Sequence, residues 1–124
     1  MDTNVALLAT RSPDRLSSAV RDAVLEGLGC ISVISYWEVM VKSMKGNLDV
    51  GDPRRWWSDT LEELKLLPLV YRPEHVDQIG NLAKHHADPF DRALVATAMA
   101  ENLTMLTLDK ELGLYAGDRF QLIH

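Results

Sequence analysis

Five carboxylates stand at positions where they could do chemistry together: Asp2 in "DTNVALL", Glu38 in "SYWEVMVKSMKG", Asp88 and Asp91 in "HHADPFDRALVATA", and Asp109 directly after "LTMLTL". Asp88 precedes a proline at the first helical position, a strong start signal, so it reads first as a helix cap. Asp91 then falls on the third helical position, where its plain role is an interaction with the helix dipole. Its company suggests more. Asp109 ends an apolar strand, and Glu38 lies one turn into a helix that leaves another. In open parallel α/β sheets the ligand crevice lies outside the carboxyl ends of the strands. Three or four carboxylates converging there would repel one another, and desolvation would raise their pKa values. A hard divalent cation with oxygen ligands, Mg²⁺ or Mn²⁺, resolves that conflict. Such a site suits phosphoryl hydrolysis, in which one or two metals activate water and stabilise the leaving oxygen.

The elements that must position these acids alternate along the chain. Residues 3–9 start helical, and residues 14–27 read as an amphipathic helix with Leu16, Val20 and Val24 on one face, ended by Gly27 and Gly29. "CISVI" is apolar on both faces, as a buried parallel strand is. A helix from Ser35, its expected cap, runs to Gly46, and another starts at Asp52–Pro53. "LLPLV" is a strand that Pro68 marks as an edge. Helices over "PEHVDQIGNLAKH" and "DPFDRALVATAMAEN", a strand over "LTMLTL", a turn over "KELGLY" and a last strand over "RFQLI" complete an α/β pattern with a parallel sheet.

Bulk properties narrow the class. The 124 residues suffice for one domain, residues 1–124, with one core. A hydrophobic content of 47% with 25% charged residues is that of a globular protein rather than a disordered one. Apolar runs are too short for a membrane span, and the first residues carry no basic leader, so a cytoplasmic protein is expected. The single cysteine, Cys30, allows no disulfide within the chain and is expected as a buried, inert thiol. A net charge of −5 argues against surface-wide attraction to nucleic acid, so phosphate binding here needs a local cluster of cations.

The blocks "DTNVALL", "ISVISYWEVMVKSMKGNLDV" and "HHADPFDRALVATAMAENLTMLTLD" resemble, in this order, the successive signatures of the PIN-domain family, closest to its VapC-type toxins of bacterial toxin–antitoxin pairs. That resemblance implies an α/β/α sandwich with a central parallel sheet and a Mg²⁺- or Mn²⁺-dependent ribonuclease site. It implies Asp2, Glu38, Asp91 and Asp109 as metal-holding, catalytic acids, with Asn4 and Thr107 as polar supports. It further implies RNA as substrate, a homodimer held by helical surfaces, and a cognate antitoxin that inserts a basic or aromatic segment into the groove. Relatives usually carry apolar residues ahead of the D-T-N block that form a first, central strand. Here Asp2 follows Met1, so that strand is expected to be truncated, with a gap in the sheet and no rigid element behind Asp2. The alternative is a non-catalytic PIN-like module that binds RNA or a protein.

Other residues carry two readings each. Lys42 and Lys45 share a helix face with Glu38, either as a solvated face or as holders of RNA phosphates, and Arg92 has the same two readings. His85 and His86 read as a helix end or as acid–base groups. Trp37 and Phe90 are expected in the core beside the site. In "RRWW" the two adjacent tryptophans cannot both face inward on a helix.

Overall fold

Among the residues that the computed structural model describes, 1–82, 88–115 and 121–124, short strands alternate with helices. Asp2 caps helix α1 (Thr3–Arg11) by accepting from the Asn4 N–H. The helix expected over residues 14–27 is broken. Pro13–Arg15 forms one 3₁₀ turn, and the Ser17 side chain accepts from the Val20 N–H, so that α2 begins only at Ser18 (Ser18–Leu25). Leu16 and Val20 are buried, as their spacing predicts. The "CISVI" strand is cut short by its own serine. Ser32 accepts from the Ile34 N–H, which ends β1 (Cys30–Ser32) and starts α3 (Val33–Met44). Ser35, expected as the cap, lies inside α3. There it is fully buried and accepts a 2.8 Å hydrogen bond from the Thr3 hydroxyl, tying α1 to α3.

Helix α4 (Pro53–Glu63) starts at the Asp52 cap, and β2 (Leu67–Leu69) follows. Helix α5 (Pro73–Ile79) stops short of the expected range, and His85 and His86 lie outside the described residues. Asp88 accepts from the N–H groups of both Phe90 and Asp91 and so starts α6 (Pro89–Ala100). Residues 93–98 of α6 are all buried, as befits a helix packed on every side. Its far end is clamped by buried His75, whose Nδ1 accepts from the Arg72 N–H while Nε2 donates to Glu101 at 2.7 Å. Strand β3 (Thr104–Leu106), a 3₁₀ stretch (Lys110–Tyr115) and β4 (Gln121–Ile123) close the order.

All pairing is parallel, but the single central sheet expected from the sequence is divided. β1 pairs with β2, and β3 pairs with β4, as two separate two-stranded sheets. Among the described residues, the first two bond to both. The Met1 amino group donates to the Cys30 carbonyl at 3.0 Å, and the Asp2 N–H donates to the Leu106 carbonyl at 2.8 Å. Consecutive N–H groups pointing to opposite neighbours are the habit of an extended strand between two others. Behind Met1 a cavity of about 370 Å³ opens between the sheets, edged by Gly29 and Cys30 on one side and Thr104 and Met105 on the other, with Leu94 and Ala98 of α6 below. The two sheets are separate, yet Asp2 does not lack support. It is held by a backbone bond to β3 and by the helix it caps.

Two expectations about burial need correction. Trp37 is 57% exposed and meets Phe90 edge-on at 4.9 Å, because its position on α3 faces away from the core. Cys30 is half-buried at the cavity edge. Of the adjacent tryptophans, Trp56 is buried and Trp57 stacks on Tyr36 at 5.0 Å. No helix among the described residues is long and apolar enough to cross a membrane.

Candidate active site

Asp2 and Glu38 are both buried and lie close enough for the Glu38 charge to act on Asp2. They arrive from different elements, Asp2 from the start of α1 and Glu38 from the second turn of α3. The Thr3–Ser35 hydrogen bond fixes the two helices one residue beyond Asp2 and one turn before Glu38. Sequence reading overlooked this pair. Its signal was a hydroxyl residue next to Asp2 and another one helical turn before Glu38.

Thr107 organises the Asp2 side. Its backbone is tied to β4 by the Thr107 N–H to the Ile123 carbonyl, its hydroxyl donates to Asp2 Oδ2 at 2.6 Å, and the same hydroxyl accepts from the Asp109 N–H at 3.0 Å. One fully buried side chain thus links Asp2 to the backbone of Asp109. Asn4 touches Asp2 through its backbone N–H, while the residue itself is exposed. The Asp2 carboxyl is pushed above the usual carboxylate range, first by burial and also by the Glu38 charge, against the opposing pull of its hydrogen bonds from Thr107 and Asn4.

Lys42 organises the other side. One turn beyond Glu38 on α3, its ammonium sits 2.5 Å from Glu38 Oε2, and the charges of Asp88 and Asp91 act on it as well. Burial alone would lower the lysine pKa, but the bond to Glu38 and these three carboxylates raise it above the ordinary value. Asp91 and Asp88 are thereby placed on the Lys42 side of the site. Lys45 is exposed, and Arg92 approaches the Tyr115 hydroxyl at 3.5 Å. One oxygen of Asp109 accepts from the Glu111 N–H and so starts the 3₁₀ stretch, a capping role that the sequence did not suggest.

Of the acids expected to converge, Asp2 lies within electrostatic reach of Glu38, Asp91 within reach of Lys42, and Asp109 is joined to Asp2 through its backbone and Thr107. Among the described residues no three His, Cys, Asp or Glu side chains form a group able to hold a metal ion. The donor set still fits a hard cation. Its members are carboxylates only, and Glu38 Oε1 is buried with no hydrogen-bond partner in the described structure. A buried, unpartnered carboxylate oxygen is costly unless something positive meets it. Mg²⁺ suits such a setting because it takes only one or two carboxylates and keeps much of its water. The large cavity behind Met1 is a separate feature, since none of Asp2, Glu38, Asp91 and Asp109 lines it.

Comparison with known proteins agrees with this architecture. A chain in the crystal structure of VapBC2 from Rickettsia felis bound to a promoter DNA fragment superposes with a TM-score of 0.70. The match covers 98% of this chain and 94% of that one at 18% sequence identity, a likeness of fold. No curated protein matches. The family model of the PIN domain matches residues 1–118. PIN domains are generally nucleases that use divalent metal ions. With nearly the whole chain matched and the fold in accord, the chain belongs to the PIN-domain family.

Proposed function

We propose that this chain is a metal-dependent endoribonuclease, the VapC-like toxin of a type II toxin–antitoxin pair, which hydrolyses RNA phosphodiester bonds. The observation that carries this reading is a buried Glu38 within electrostatic reach of buried Asp2, with one Glu38 oxygen lacking a hydrogen-bond partner among the described residues. Asp2, Glu38 and Asp91 would hold Mg²⁺ or Mn²⁺, and Asp109 would complete the acidic rim. When bound, such an ion supplies activation of the attacking water and neutralises charge at the leaving oxygen. Thr107 keeps Asp2 oriented and joins it to Asp109. The Asn4 N–H fixes the other Asp2 oxygen. Lys42, Lys45 and Arg92 supply the local cations that a chain of net charge −5 needs to approach RNA phosphates.

The likeness to a chain of the VapBC2 complex supports a cognate antitoxin as partner. Exposed Trp37 and Met44, seven residues apart on α3, offer an apolar stripe suited to a protein interface such as a homodimer. An RNA substrate implies the cytoplasm as the working compartment.

The test is cleavage of RNA with Mg²⁺ or Mn²⁺ by the wild type and by Asp91→Asn, which keeps the shape and removes the charge. The expected result is wild-type turnover that chelation abolishes, products with 5′-phosphate and 3′-hydroxyl ends, and an inactive variant. Cyclic 2′,3′-phosphate ends, or activity that survives both chelation and the substitution, would contradict the reading. A second reading, a non-catalytic PIN-like module that binds RNA or protein, is favoured by the lack of a three-acid group among the described residues. Stoichiometric RNA binding without turnover would select it.

A further inference from the structure

Lys42 and Glu38 form an asymmetric pair. The lysine side chain is 41% exposed and the glutamate side chain 5% exposed, with 2.5 Å between Nζ and Oε2. The carboxylate is fixed in the interior, whereas the ammonium is carried on a flexible four-carbon stem that can swing outward to water. One oxygen of Glu38 is taken by Lys42, and the other is buried with no hydrogen-bond partner among the described residues. The charges of Glu38, Asp88 and Asp91 act on this ammonium, and the Glu38 charge also acts on Asp2.

We propose that Lys42 is a displaceable counterion: its ammonium holds Glu38 in the metal-free protein, gives up that oxygen when a dication enters, and swings outward to where substrate phosphates approach. The inference rests on the metal-site reading above and adds an ordered exchange of cations to it. A dication on Glu38 Oε1 and an ammonium on Oε2 of the same carboxylate repel each other, and the exposed, flexible partner is the one that moves. Both states keep the buried carboxylate compensated, which avoids leaving an unpaired charge in the interior. Lys42 is here a positioning residue that alternates between two anions, Glu38 and an RNA phosphate.

The test uses the intact chain and reads the lysine directly. Amines are acylated by a brief pulse of acetic anhydride, with and without Mn²⁺, and labelling is read by mass spectrometry at Lys42, with exposed Lys45 as the internal reference. Mn²⁺ binding is followed in parallel by calorimetry. The expected result is a several-fold rise in Lys42 labelling relative to Lys45 that saturates together with Mn²⁺ binding. Glu38→Gln should show the raised labelling without metal. Mn²⁺ that binds while Lys42 labelling stays level or falls would overturn the exchange and leave the metal site standing. A wild type that binds no Mn²⁺ would overturn both, so the two failures are distinguishable.

Discussion

On one side of the acidic site Asp2 is fixed by hydrogen bonds alone: its backbone to Leu106, one oxygen to the Asn4 N–H and the other to the Thr107 hydroxyl. On the other side Glu38 is balanced by charge, with a half-exposed ammonium on one oxygen and no hydrogen bond from the described residues on the other. The first half is built from short, buried links of fixed direction. The second rests on an attraction that any cation can replace. Hydrogen bonds of the first kind specify where a ligand atom sits, whereas the ion pair of the second keeps a buried carboxylate tolerable until another cation arrives.

Substitutions separate the two halves. The largest effect is expected from Thr107→Val, which removes the donor to Asp2 and the acceptor for the Asp109 N–H at once. Losing this support should cost about 10–100-fold in metal affinity or activity. Leaving buried polar groups unmet should also cost about 1–3 kcal/mol in urea denaturation. Next comes Asp88→Ala, which strips α6 of its cap and should cost about 1 kcal/mol. Asp91→Asn, three residues on, should leave stability near wild type while ending turnover, and a reversal of that order would exchange the roles given to the two aspartates. Lys42→Met leaves the buried Glu38 carboxylate without its cation and should cost more than the roughly 1 kcal/mol of an exposed pair.

The smallest effect is a pH dependence on the Asp2 side. The folded-state pKa of Asp2 is raised, chiefly by burial, so its relative stabilisation of the fold is present below the ordinary carboxylate pKa and is lost as pH rises through the raised value. Asp2→Asn removes this titration. Denaturation of both proteins between about pH 4 and pH 7 should show the difference in stability moving in favour of the variant as pH rises. A difference that does not change with pH would mean that Asp2 ionises freely.

Much of this was legible in the sequence where a local rule decides the outcome. The Asp88–Pro89 start of α6, the Pro68 edge strand and the split environment of Trp56 and Trp57 follow from caps, missing donors and helical periodicity. What was not legible depended on competition between neighbours or on distant contacts. Ser32 rather than Ser35 caps α3 because two serines compete, and the winner is set by where β1 must end. Ser35 is then free to meet Thr3, 32 residues away in sequence. Trp37 looked like core but faces outward because Glu38, its neighbour, takes the inward position. The sheet is divided into two pairs, and the hold of Met1 and Asp2 on both of them rests on contacts distant in sequence. Asp109 was read as an inward acid, and its bond to the Glu111 N–H shows a turn residue as well.

The most direct measurement is calorimetric titration of Mn²⁺ into the wild type, Asp2→Asn and Glu38→Gln. If the hydrogen-bonded half and the charge-balanced half hold one dication between them, the wild type binds and each single substitution weakens binding sharply. Wild-type affinity in both variants would show that the two carboxylates do not share an ion.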